Sequence, residues 1–477
     1  MYAYITVCIL TTIEKNTPKP PTPKPPPPFT PAQLLRFFLQ LLPQRALRKL
    51  PALQQLTFYE RLFTPLVTLW YLLFQWLHHD HTLEAVLCDA RAGGADRLNP
   101  KLSRRLVSSS TGPYSDARSR LPEGFLAQAL RLQGNQMTLQ SPTTLWKQMV
   151  VSLLDGSTVR LRPFGDIPKQ LPPHGNQHQK KTYWCLMRVV VSFCCLSGAA
   201  LDCALGSTHL SEQALGAEIL LRAVGHGLFL GDRNFGIFRI AQTARHVHQH
   251  VLLRMTAVRA VKLLGHALQP GDFPVTWKPS RHDQLQPGCS TDPVQGRLII
   301  VRLKCPGSRP PWLCLFTTLT DPVQYPSQEL VQLYGLRWHI ELDLRYVKAQ
   351  MEAGQLEVHS AAMARKEWLA CLLAYNLIRA AMLCAALQQG LSPLSLSFSS
   401  SRRRLEWWLR DFGRTITDVL VSWQKTLAEI GKCRLPKRKK NRPPEPRAKR
   451  RAPATFPSLV GSRSQARKKL AKQAMKS

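Results

Sequence analysis

Four residues at fixed spacing, Tyr334, Arg337, Glu341 and Lys348, carry the groups needed to handle a phosphate diester. On an α-helix turning about 100° per residue they share one narrow stripe, with Arg345 close by. Leu333, Leu336, Ile340, Leu344, Val347 and Met351 form the adjoining apolar face. Pro326-Ser327 marks the helix start, with Ser327 as the cap and Glu329 in the first turn. A carboxylate at the buried edge of such a helix can hold a hard divalent cation. Arginine and lysine on the same stripe can grip phosphates beside it, and tyrosine can donate to a phosphate oxygen or stack on a base. The same spacing also suits an ordinary amphipathic helix in which Arg337 pairs with Glu341.

Two aspartates add to this set. Asp155 ends the apolar run MVVSLLD and Asp232 ends GLFLGD, each followed by turn-forming residues. Both are expected at strand ends, along the sheet edge where α/β proteins build their sites. Asp202 falls mid-strand and Asp166 in a loop with Pro and Gly, so neither fits as well.

The elements that must position these groups follow from composition and periodicity. Residues 17–31 are a proline-rich linker, and 1–31 read as a disordered leader. Residues 32–140 are leucine-rich at helical spacing and predict a helical N-terminal domain. From 145 to 365 short strands, a hairpin at Ser197-Gly198 and a helix capped by Ser211 predict a mixed α/β domain. Within it, about 255–326 read as a β-rich insertion. Helices are expected over 366–430, and 431–477 as a disordered basic tail. From Lys432 to Ser477 there are 17 Lys and Arg against one acid, Glu445, a net charge of +16.

The whole chain has 477 residues, 44% of them apolar, and a net charge of +36. That excess points to a polyanionic partner, of which nucleic acid is the commonest. Its twelve cysteines include no CxxC pair, the pattern of buried thiols in a reducing compartment. Leu66 to Leu77 and Val189 to Ala200 are apolar but too short to span a bilayer. The N-terminus has no basic region before its apolar stretch. A cytoplasmic protein without a membrane partner is expected.

Taken together, Tyr334-x2-Arg337-x3-Glu341-x6-Lys348 resembles the Tyr-Arg-Glu-Lys signature of bacterial DDE transposases of the insertion-sequence-four family. LLDGSTVRL resembles the family's first-Asp block and GDRNFGIF its second. SSTGPYSDARSRLP is similar to a segment ahead of the catalytic domain, and RPPEPRAKRRAPATFP to the basic C-terminal end. The resemblance covers about 35–455. It implies an RNase H-like catalytic domain with a β-rich insertion, and a metal-binding triad of Asp155, Asp232 and Glu341. Two Mg2+ ions about 3.5–4 Å apart, with Mn2+ able to substitute, would clamp the scissile phosphate. Tyr334, Arg337 and Lys348 would hold phosphates near the terminal nucleotide. The implied partners are double-stranded DNA, as element ends bound through residues 32–140 and as target, and a second copy in a synaptic homodimer, nucleoid-associated when on DNA. Some relatives pass through a DNA hairpin and stack a flipped base on a tryptophan; Trp312 and Trp277 are the candidates here, each equally suited to a core.

The implied activity is cut-and-paste transposition: hydrolytic cleavage at element ends, then strand transfer. The alternatives are a catalytically inactive DNA-binding derivative, a plain metal-dependent nuclease, and a basic RNA-binding protein. The last lacks the clustered aromatics or glycine-rich motifs of RNA modules.

Overall fold

The computed structural model describes residues 29–54, 61–78, 80–139, 144–175, 181–286, 288–303, 312–411 and 418–436, with a few positions beyond 461. The leader and the basic tail therefore lie almost wholly outside the described residues.

From Pro31 to Leu139 the described chain is helical. α1 (Pro31–Leu39) opens with a reciprocal cap: Thr30 accepts from the Gln33 amide, and the Gln33 side chain accepts from that of Thr30. α2 (Pro65–Leu77) is apolar on almost every side and correspondingly buried. α3 (Glu123–Leu139) follows. These helices are not walled off from what comes next, because Leu72, Phe125 and Ala129 share one apolar core with strands of the central sheet.

That sheet has eleven strands: β1 (Leu145–Trp146), β2 (Met149–Leu161), β3 (Pro173–Gly175), β4 (Lys181–Cys194), β5 (Ala200–Ser207), β6 (Gly227–Gly231), β7 (His250–Met255), β8 (Gly271–Trp277), β9 (Val294–Arg302), β10 (Trp312–Thr317) and β11 (Gln355–Leu356). The order is β3-β4-β2-β6-β7-β10-β9-β8, with β5 also on β4. β2, β6 and β7 run parallel. β4, β5 and the β8-β9-β10 meander are antiparallel to their neighbours. The segment expected to be a β-rich insertion does supply strands, and it lengthens this sheet by pairing β10 with β7. α4 (Glu212–Leu221), capped by Ser211, links β5 to β6, and α5 (Phe238–His246) links β6 to β7.

Side chains alternate across β2. Val151, Leu153, Val159 and Leu161 face the larger core, whereas Leu154 faces the smaller core built with α4 and α5. Two sequence expectations need correction here. β2 does not end at Asp155; it runs straight through Asp155-Gly156 to Leu161, because ten of its residues pair with β4. The Tyr334–Lys348 helix is not one α-helix either. It comprises α6 (Ser327–Gly335), a 3-10 turn (Leu336–Trp338), α7 (His339–Arg345) and a π turn (Tyr346–Gln350). Ser327 does not cap it: its hydroxyl is taken by Asp272 and Arg297 of the β8–β9 pair.

α8 (Ala361–Gln389) starts at Ser360, which accepts from the Met363 amide, and stops at Gly390 in the left-handed region. It is long and apolar enough to cross a membrane, contrary to the expectation that no segment qualifies, yet its most apolar stretch is wholly buried in the protein. α9 (Phe398–Asp411) and α10 (Val419–Lys432) pack beside it.

Candidate active site

The two parallel strands bring the aspartates together. β2 and β6 pair Val150 with Gly227 and Leu153 with Leu230. Asp155 lies two residues after the last β2 residue in this pairing, and Asp232 two residues after its partner on β6, just past the end of that strand. Asp155 shares its face of β2 with Leu153, the face covered by α6 and α7. Its carboxylate accepts from the Gly156 amide at 2.9 Å. Burial pushes the Asp155 carboxyl up to about 7; Arg337 pulls against that, while Asp232 and Glu341 push it further. One aspartate thus feels two other acids and one guanidinium.

Asp232 sits one residue past the end of β6, as its sequence context predicts. Its carboxylate accepts from the Asn234 amide at 2.8 Å, closing a tight turn. The turn folds back so closely that a Cβ at Gly236 would lie 2.2 Å from the Arg254 carbonyl. Arg259 holds its far side by donating to the Gly236 carbonyl at 2.8 Å.

Of the stripe read from the sequence, Tyr334 and Arg337 are buried rather than presented beside the apolar face. The Tyr334 hydroxyl donates to the Gly231 carbonyl at 3.5 Å, next to Asp232. Arg337 stands 3.4 Å from Glu341, with its own side chain 3% exposed and that of Glu341 43% exposed. The guanidinium is therefore directed at the carboxylates. Lys348 projects from the π turn, a distortion common at functional sites. It donates to Ser157 at 3.0 Å, on the same face of β2 as Asp155, and burial and nearby Arg160 hold its ammonium below the usual lysine range. The structure thus brings Asp155, Asp232, Arg337 and Glu341 into one electrostatic neighbourhood, with Tyr334 and Lys348 anchored at its two ends.

Among the described residues, no three His, Cys, Asp or Glu side chains are arranged to hold a metal ion as they stand. The donors present are nevertheless oxygens only, as a hard cation requires. Trp277 packs edge-on against Phe238 and Phe316 in the smaller core, and Trp312 lies under Arg302. Sequence reading assigned no role to Glu212 and took Asn234 only as part of GDRNFGIF. The Asn234 side chain donates to Glu212 at 2.6 Å, and only the fold shows the two side by side.

Residues 146–377 match the transposase DDE domain family. The transposase InsG for insertion sequence element IS4 of Escherichia coli (strain K12) is 31% identical over 208 residues, covering 42% of this chain and 45% of that protein. The matched stretch thus spans less than half the length of that relative. A cryo-EM structure of the piggyBac transposase synaptic complex with hairpin DNA aligns with 83% of this chain and 85% of that one, at 9% identity and a TM-score of 0.38, too loose a likeness to carry an argument. By these matches residues 146–377 form a transposase DDE domain, one similar to that of an insertion-sequence-four transposase.

Proposed function

We propose that this protein is the transposase of an insertion sequence, which cuts double-stranded DNA at the element's ends and joins those ends to target DNA. The observation that carries this reading is that Asp155 and Asp232 each follow the paired stretch of two parallel strands by two residues, with Glu341 and Arg337 acting on Asp155. Three acids from two strands and one helix suit Mg2+, which takes oxygen ligands and keeps several waters. Burial, with added repulsion from Asp232 and Glu341, lifts the Asp155 carboxyl, and a divalent cation would offset both. Asp155, Asp232 and Glu341 would hold the metal. When bound, it supplies Lewis-acid polarisation of the scissile phosphate and a more acidic attacking hydroxyl. The order β5-β4-β2-β6-β7, three antiparallel strands followed by two parallel ones, supports an RNase H-like core beneath the site.

The chain's own residues divide the remaining work. Arg337 neutralises the acids, and its loose hold on Glu341 would leave that carboxylate able to join Asp155 and Asp232 in holding the metal. Tyr334 steadies the backbone before Asp232. Lys348, at the mouth, engages a DNA phosphate in exchange for Ser157. A homodimer brings two element ends together.

The test is cleavage and strand transfer by the purified full chain with Mg2+ and duplexes cut from the DNA flanking its gene. Wild type should cut and join. Asp155→Ala, Asp232→Ala and Glu341→Ala should bind the same duplexes and lose at least about a thousandfold in rate, some 4 kcal/mol of barrier. Mutants that cut as well as wild type would place the site elsewhere. A wild type that binds but does not cut would mark an inactive DNA-binding derivative.

A further inference from the structure

One carboxylate outside the triad touches both aspartate-bearing segments. Glu212 is the first residue of α4, one turn long in reach from the sheet, where the helix dipole favours a negative charge. Its side chain lies flat on Gly156, the residue after Asp155. A Cβ there would stand 2.5 Å from Glu212 Cδ and 2.7 Å from Oε1. The other carboxylate oxygen, Oε2, accepts from Asn234 Nδ2 at 2.6 Å. Gln213, next in the same turn, donates to the Asn234 side-chain oxygen and, at 3.2 Å, to its carbonyl. Both ends of the Asn234 amide are therefore held by α4, and the Asn234 backbone N–H is the donor that fixes Asp232.

We propose that Glu212 is a positioning residue: through Asn234 on one side and Gly156 on the other, it sets the spacing of Asp155 and Asp232 for a shared divalent cation. The inference rests on the reading of those two aspartates as metal ligands. It also explains Gly156. That residue lies inside a regular strand, where a turn has no part, and its hydrogen side chain makes room for Glu212. An alanine there meets only the far end of a flexible side chain, so the chain still folds while Glu212 is pushed off its seat.

Mn2+ binding to the metal-free full chain, followed by calorimetry alongside thermal melts, tests this. Glu212→Ala and Gly156→Ala should each weaken Mn2+ by about tenfold, the usual effect of losing a residue that orients a metal ligand. Their melting temperatures should stay near wild type. The double variant should be no weaker than either single one, because both break the same link. Glu212→Gln should stay near wild type, since its amide oxygen still accepts from Asn234. Wild-type affinity in Glu212→Ala overturns the proposal, as do additive losses in the double variant. A Glu212→Gln defect equal to that of Glu212→Ala also overturns it, by showing that the charge itself binds the ion. Asp232→Ala separates the two levels of the argument. If it binds Mn2+ as wild type does, or wild type binds none, the metal reading of the aspartates falls; if it loses binding while Glu212→Ala does not, only the positioning role falls.

Discussion

Glu341 and Asp343 stand two residues apart on α7, and each is paired with an arginine. Asp343 and Arg379 are both 2% exposed and in direct contact. Arg379 also donates to the Tyr375 hydroxyl at 2.7 Å and lies over the rings of Tyr346, Tyr375 and Phe398. Tyr375 in turn reaches the Gly198 carbonyl at 2.7 Å, in the hairpin between β4 and β5. This pair is closed on every side and ties α7 and α8 to the sheet. Glu341 and Arg337 are at 3.4 Å, and the carboxylate is largely open to solvent. Two neighbouring ion pairs on one short helix thus differ in kind. The closed one holds the helix in place, and the open one leaves a carboxylate free to change partner. The proposed site, which would accept a cation and a phosphate diester, has the second kind standing on the first.

The contrast is broken most severely by Arg379→Ala. It strands a buried carboxylate and should cost about 3–5 kcal/mol of stability in denaturant titration. Glu341→Ala should cost less than about 1 kcal/mol by the same measurement, since its carboxylate is 43% exposed and buried Arg337 keeps Asp155 as a partner. If both cost the same, the two pairs are alike after all. Arg337→Ala comes next. It removes the cation facing three acids, and should cost roughly 1–3 kcal/mol in chelator, with part of the loss restored by Mg2+. An unchanged melting curve on adding Mg2+ would count against the acids sharing a cation.

The smallest effect is a pH dependence that sharpens the picture of Asp155. Its carboxyl is held at about 7 in the folded chain, above the ordinary value of 3.8. Folding therefore favours the protonated form. The stability tied to this group is fully present below 3.8 and is lost as pH rises through about 7. Asp155→Asn cannot ionise, so in chelator it should match wild type near pH 4 and melt higher at pH 8. The gain should be about 1 °C for each kcal/mol relieved, because a larger folded unit shifts less. Parallel melting temperatures across that range would show that Asp155 is not strained by its neighbours.

Much of the scaffold was readable along the chain. Ser211 caps α4 because a hydroxyl before a helical run satisfies an orphan amide. Ser197-Gly198 turns β4 into β5 because Gly198 takes a positive φ of 74°. Asp232 closes its turn on the amide two residues on. These are local rules with local partners. Asp155-Gly156 defeated the same logic. The dipeptide has turn chemistry, but pairing with β4 across ten residues outweighs it, and the glycine answers to Glu212 on α4. Even spacing on a helical wheel likewise supposes unbroken α-helix. The chain instead tightens at Leu336–Trp338 and loosens at Tyr346–Gln350, so Tyr334 and Arg337 turn inward.

By itself the sequence determined which residue types are present and at what intervals: the acids, the Tyr-Arg-Glu-Lys spacing, and the polyanion-seeking charge of +36. Those follow from covalent order and short-range backbone chemistry. Only the tertiary structure decided that Asp155 and Asp232 follow two paired parallel strands, that Arg337 acts on Asp155 together with the other acids, and that Glu212 rests on Gly156. Each depends on strand register or helix docking between segments far apart in the chain, and no local interval encodes that.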